Sequence, residues 1–104
     1  MDITNIDLIP GKRIVGHFGI VQGSTVRARH AGADFAASMK NFVGGELKGY
    51  TKLLEEARKE ALERMLAQAQ QVGANAVINV RFATAAITQG AAELMAYGTA
   101  VRVE

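Results

Sequence analysis

His30 and Asp34 are the first pair whose types and spacing could do chemistry. Four residues apart, they could supply two metal ligands, or a base with the carboxylate that orients it. They also have a plainer use. Asp34 suits the N-cap of a short helix, and His30 the turn before it. A lone His–Asp pair is a weak motif, so the plainer use is the expectation. Glu46 would complete a metal set of His30, Asp34 and Glu46. Cysteine is absent, so such a site lacks the best soft ligand. Thiol catalysis and disulfides are excluded on the same ground.

Arg27 and Arg29 fall on one face of an extended segment. They could hold an anion, helped by the N-terminus of the helix that follows. Ion pairs between subunits, to Glu46 or Glu93, are the expected role, since Arg is favoured at interfaces. Glu46 and Tyr50 stand four apart at the start of a long helix, where a carboxylate complements the helix dipole. Gly44-Gly45 before them would admit a ligand or another chain close to the backbone, and serve equally as a corner between helices. Glu93 and Tyr97 share a strand face. Burial would raise the Glu93 pKa, but an ion pair with Arg81 on the adjacent strand is the expectation. Met39, Met65 and Met95 sit on apolar stripes, where Met fills gaps rather than binds metal. His17 is isolated, and Ser24 and Ser38 have no base nearby. No phosphate loop, zinc motif or nucleophile elbow is present. The ligand-binding candidates are therefore Arg27, Arg29, His30, Glu46, Tyr50, Arg81, Glu93 and Tyr97. No catalytic set is assigned, and the cofactor expected, if there is one, is a metal ion.

The element that must position these residues is a helix over Glu46–Val72. Leu47, Tyr50, Leu54, Ala57, Ala61, Met65, Ala69 and Val72 recur at helical spacing, and charges fill the other side. Glu55–Lys59 and Glu60–Arg64 are i,i+4 pairs in the favourable order. Gly73 suits the left-handed position past the end. The helix would be roughly 40 Å long. Before it, Lys12–Gln22 reads as a strand with an extension over Thr25–His30, bent at Gly16 and Gly19. A short helix from Asp34 to about Val43 follows. After it, Ala74–Phe82 alternates, with Ala76, Ile78, Val80 and Phe82 on one face. Thr84–Ala92 reads as a turn region, and Glu93–Val103 as the last strand. Met1–Gly11 is a lead ending in a Pro10-Gly11 turn.

The order β-α-α-β-β predicts one α+β domain over residues 1–104, with residues 1–10 as a lead. It has two layers: an antiparallel sheet packed on the long helix, plus the short helix. The last strand is apolar on both faces, yet one helix covers only one. Hiding apolar surface is worth roughly 25 cal/mol per Å², so a ring of identical subunits is expected. Of the 104 residues 49% are apolar and 21% charged, which marks a globular chain. The net charge is +2 with no basic run, so nucleic-acid binding is not expected. No signal peptide or membrane-length apolar stretch is visible, and a cytoplasmic location is expected.

Five motifs then point to one family. Val26-Arg27-Ala28-Arg29-His30, Asn41-Phe42-Val43-Gly44-Gly45-Glu46, Tyr50-Thr51, Gly73-Ala74-Asn75-Ala76-Val77 and Ala96-Tyr97-Gly98-Thr99-Ala100-Val101 resemble the YbjQ-like family of small bacterial proteins. The resemblance runs from Gly11 to Val103. It implies a dodecin-like α+β subunit, a homopentamer, and a heavy-metal-binding label without an established activity. The expected function is an oligomer that binds a small ligand, anion or metal ion at subunit interfaces. A structural or regulatory scaffold is the alternative, and an enzyme using Glu46, Glu93 and His30 ranks last.

Overall fold

A computed structural model describes residues 1–28, 48–88 and 90–104, with only the backbone given at Ala28 and at 48–50. Strand β1 is Asp2–Ile3, β2 is Ile14–Ala28, helix α1 is Lys48–Gln71, β3 is Ala76–Thr88 and β4 is Ala91–Val103. The short helix expected from Asp34, the Gly44-Gly45 corner, Arg29, His30, Asp34 and Glu46 lie outside the described residues.

The long helix forms where its spacing predicts, but two residues of the expected stripe are exposed: Leu54, and Val72, which lies past the helix end. Ala57, Ala61, Met65 and Ala69 are fully buried along one side. It ends in a Schellman motif: the Ala74 N–H donates to the Ala69 carbonyl, the Gly73 N–H donates to the Gln70 carbonyl, and Gly73 has φ +89°. The helix packs against the sheet over Val21 of β2, Val77 of β3, and Leu94, Ala96 and Ala100 of β4. Small residues bring it close to the sheet. A Cβ on Gly23 would lie 2.3 Å from the Ala61 carbonyl oxygen and the Met65 nitrogen.

The sheet order is β1-β3-β4-β2. β4 is antiparallel to both β2 and β3, but β1 runs parallel to β3. The sheet is therefore mixed, which corrects the wholly antiparallel sheet expected. The cause is the lead. Its backbone bonds along the outer edge of β3: the Thr4 N–H donates to the Val77 carbonyl, and the Val80 N–H to the Thr4 carbonyl, at 3.1 and 3.0 Å. A Pro10-Gly11 turn, closed by the Lys12 N–H on the Ile9 carbonyl, then feeds the chain into β2.

The lead also covers part of the sheet's second face. Ile9 packs with Ala76, Ile78, Val101 and Val103 there. At its C-terminal end β4 is thus shielded on both faces within one chain, by α1 on one side and Ile9 on the other. That corrects half of the expectation that only neighbouring copies could supply the second cover.

Two further corrections concern β3. Asn79 has φ +54°, and Ile78 faces Thr99 while Arg81 faces Tyr97. Three residues of β3 thus match two of β4, which is a β-bulge. The bulge reverses the alternation, so Val80 packs with the helix-side cluster rather than with Ala76 and Ile78. In addition β3 and β4 run through the expected turn region: Ala83 faces Met95, Thr84 faces Leu94 and Ala85 faces Glu93. Alanine and threonine carry little turn signal of their own, and cross-strand pairing decides the matter. Residues 81–88 of β3 are all exposed. The Cα radius of gyration is 17.0 Å, against about 13 Å for a compact domain of this length.

Candidate functional site

Alternation along β4 turns Glu93, Met95, Tyr97 and Thr99 away from α1. Register then builds the neighbourhood. Tyr97 lies between Gln22 of β2 and Arg81 of β3; Met95 between Ser24 and Ala83; Glu93 between Val26 and Ala85. A phenol, a carboxylate, a thioether and a guanidinium thus share one face, beyond the patch that Ile9 covers. Glu93, Met95 and Tyr97 are half-buried, whereas Ile20 and Val26 beside them are 79% and 56% exposed.

Arg81 is held in place by the lead. Its Nη1 donates to the Asn5 carbonyl at 2.7 Å and to its own neighbour's, Val80, at 3.2 Å. The expected Arg81–Glu93 ion pair does not form. Arg81 lies level with Tyr97, four residues along β4 from Glu93, which is roughly 13 Å at strand rise. The structure therefore brings Arg81 and Tyr97 together and sets Glu93 apart on the same face.

Arg27 is on the opposite face. Its Nη2 meets the Glu60 carboxylate of α1 at 2.5 Å. Arg64, one helical turn on, binds the other oxygen of Glu60, and its Nη1 donates to the Ser24 carbonyl at 2.6 Å. Arg27 therefore serves an ion pair within the chain, not the inter-subunit pair to Glu46 or Glu93 expected of it. Hydrogen bonding to Arg27 first, and the charge of Arg64 with it, holds the Glu60 carboxyl below the ordinary glutamate range, against a smaller opposing effect of desolvation. Gln68 adds a fourth link, its Oε1 accepting the Gln22 N–H at 2.7 Å. Sequence reasoning found the Glu60–Arg64 pair but not its reach across to β2. The signal was there: Glu60, Arg64 and Gln68 recur every four residues on one side of the helix. Tyr50 sits in the first turn of α1, and its side chain is not described.

Among the described residues no group of three or more His, Asp or Glu side chains converges as a metal site would require. The described face offers the Glu93 carboxylate, the Met95 thioether and the Tyr97 phenol along one strand, with Glu93 and Tyr97 roughly 13 Å apart, and these do not fit a heavy-metal centre by themselves. Of the metal candidates, His30, Asp34 and Glu46 all lie outside the described residues.

The fold and this face define a small α+β domain, a mixed four-stranded sheet backed by one long helix. The chain belongs to the YbjQ-like family, described as "putative heavy-metal-binding", which matches residues 1–104. It is 67% identical over 104 residues to a UPF0145 protein of Hahella chejuensis, covering 100% of both chains. It is 50% identical over 102 residues to UPF0145 protein TTHA1944 of Thermus thermophilus, covering 98% of this chain and 90% of that one. A crystal structure of a protein of unknown function from Pediococcus pentosaceus, of the DUF74 family, superposes with TM-score 0.68. That match has 15% identity and covers 100% of this chain and 98% of the other, so it speaks for the fold alone.

Proposed function

We propose that the protein is a ring-forming homo-oligomer, a homopentamer of dodecin-like subunits in the cytoplasm. It binds a small ligand, an anion or a metal ion where subunits meet. The observation that carries this reading is the sheet face beyond Ile9: apolar Ile20, Val26 and Met95 lie beside Glu93 and Tyr97 with no cover from α1, and the lead reaches this face only through the Asn5 carbonyl on Arg81. Large exposed apolar patches on small domains mark interaction surfaces. Any metal site would draw on His30, Asp34 and Glu46, or on residues of two copies. The family's heavy-metal description supports including a metal ion among the ligands. A structural or regulatory scaffold is the second reading. It is favoured by the engagement of Arg27 with Glu60, which removes one candidate anion ligand from the pool.

Native mass spectrometry and metal analysis of protein purified without an affinity tag test both parts. The expected result is a five-chain species with a stoichiometric ion or a ligand-dependent thermal shift. A site filled at a hundred times its dissociation constant adds about 2.7 kcal/mol. In a domain of this size that raises the melting temperature by roughly 10 °C or more. A ring without metal, and without a shift on adding divalent metals or phosphate, selects the scaffold. A single chain at all concentrations overturns both readings.

A further inference from the structure

Arg27 and Arg64 share the Glu60 carboxylate, but Arg81 has no acidic partner among the described residues. Its contacts are main-chain carbonyls. Nη1 donates to those of Asn5 and Val80, which engages both of its hydrogens. The remaining edge of the guanidinium, Nε and Nη2, has no acceptor among the described residues. Such an edge matches a carboxylate, which takes two parallel N–H···O bonds from it. Because the Asn5 carbonyl already holds the side chain, binding there has less freedom to remove.

The neighbours of Arg81 suit the same acceptor. Tyr97 lies level with it on β4, and Gln22 lies level with Tyr97 on β2. The phenol and the side-chain amide are donors, and neither has a partner among the described residues. With strands about 4.8 Å apart, the three make a row of donors roughly 10 Å wide, with one positive charge and no carboxylate. The next row that faces the same way is Ser24, Met95 and Ala83. Half-buried Met95 there stands between two small side chains, which leaves room above an apolar floor. One row further on, Glu93 lies between Val26 and Ala85. Arg81 and Glu93 thus close the two ends of an apolar strip roughly 13 Å long.

We infer that this strip binds an organic monocarboxylate: its carboxylate on the free edge of Arg81, the Tyr97 hydroxyl as a further donor, and its apolar body over Met95. The inference names the ligand class for the ligand-binding part of the reading above and rests on it. Glu93 sets the selectivity, because it repels a second carboxylate at the far end of a chain. An inorganic anion could meet Arg81 but would leave the apolar strip uncovered.

Octanoate, a straight-chain monocarboxylate, is the probe, and suberate, the dicarboxylate of equal chain length, is its comparison. Calorimetric titration of the full chain reads affinity, and native mass spectrometry reads assembly. Wild type should bind octanoate roughly tenfold or more tightly than suberate. Arg81→Gln should weaken octanoate roughly tenfold or more, and Tyr97→Phe about threefold. Arg58→Gln, at an exposed position of α1 on the other side of the sheet, should change nothing. Glu93→Gln should keep octanoate and gain suberate. That gain leaves Arg81 untouched, so it decides the matter should Arg81→Gln fail to fold. Octanoate binding that Arg81→Gln leaves unchanged overturns the inference, since an apolar patch alone would hold the probe that way. Equal binding of suberate by wild type overturns it too. If wild type binds no octanoate and Arg81→Gln breaks the assembly apart, the guanidinium belongs to a subunit contact and the inference falls. No octanoate signal beside a thermal shift with a divalent metal or phosphate overturns the inference and leaves the ligand-binding reading standing. No signal from any of the three removes both.

Discussion

Glu60 does more than its place in an i,i+4 pair suggests. It accepts from Arg27 of β2 and Arg64 of α1 at once, and so ties helix to strand. Its folded pKa lies below its unfolded value, so it adds stability above the unfolded value that fades as pH falls through the folded one. Denaturant titrations at neutral pH and at pH about 3 should show wild type losing stability to acid, with Glu60→Gln losing less over the same interval. Asp2, held low by its hydrogen bond to Lys12 at 2.6 Å, contributes with the same sign. Gly23 is the opposite kind of residue, required for what it lacks. Gly23→Ala would drive a methyl against the helix backbone, and overpacking of this kind costs typically 1–3 kcal/mol. The chevron midpoint should fall accordingly. Met65→Ala, at a site with 0% exposure, should cost about 2–5 kcal/mol through the cavity it leaves.

At the scale of elements, one residue of β3 decides which faces its side chains take. Asn79 holds a left-handed conformation, and Gly98 opposite gives the bulge room: a Cβ there would meet Val77 Cγ1 at 2.7 Å and the Ile78 carbonyl oxygen at 2.9 Å. A β-branched side chain at Asn79 would carry a strain of roughly 1–2 kcal/mol that glycine would not. Asn79→Val should therefore unfold at lower denaturant than wild type, and Asn79→Gly close to it. If the two variants behaved alike, the bulge would not depend on the left-handed residue. The lead is the other deciding element, since it bonds along the first part of the β3 edge and covers the free face around Val101 and Val103.

Across the whole molecule, the β3 end of the sheet stands off from the core. The extents of 52 × 26 × 16 Å describe an elongated shape. A face carrying Ile20 and Val26 should be where copies meet. The pair Ile20→Asp and Val26→Asp, placed on exposed positions outside both buried clusters, should dissociate the proposed assembly while shifting the melting temperature of the single chain little. Small-angle scattering of that variant should then return a radius of gyration near 17 Å. Retained assembly would exclude this face from the contact.

The apolar stripe of α1, the glycine that ends it and the strand after it were legible because each rests on local rules: helical spacing, a left-handed cap, and apolar alternation. Family membership was legible for the same reason, in short motifs. Of the candidate site, the sequence placed Glu93 and Tyr97 on one strand face but could not show that Arg81 lies level with Tyr97 and not Glu93. That depends on Asn79 inserting one residue into the ladder. The parallel β1, the length of the β3–β4 arm and the reach of Arg27 to Glu60 were likewise decided by tertiary structure. Each joins residues far apart in the chain, and no local preference of Asp2, Ala85 or Arg27 says which partner will be near when the chain has folded.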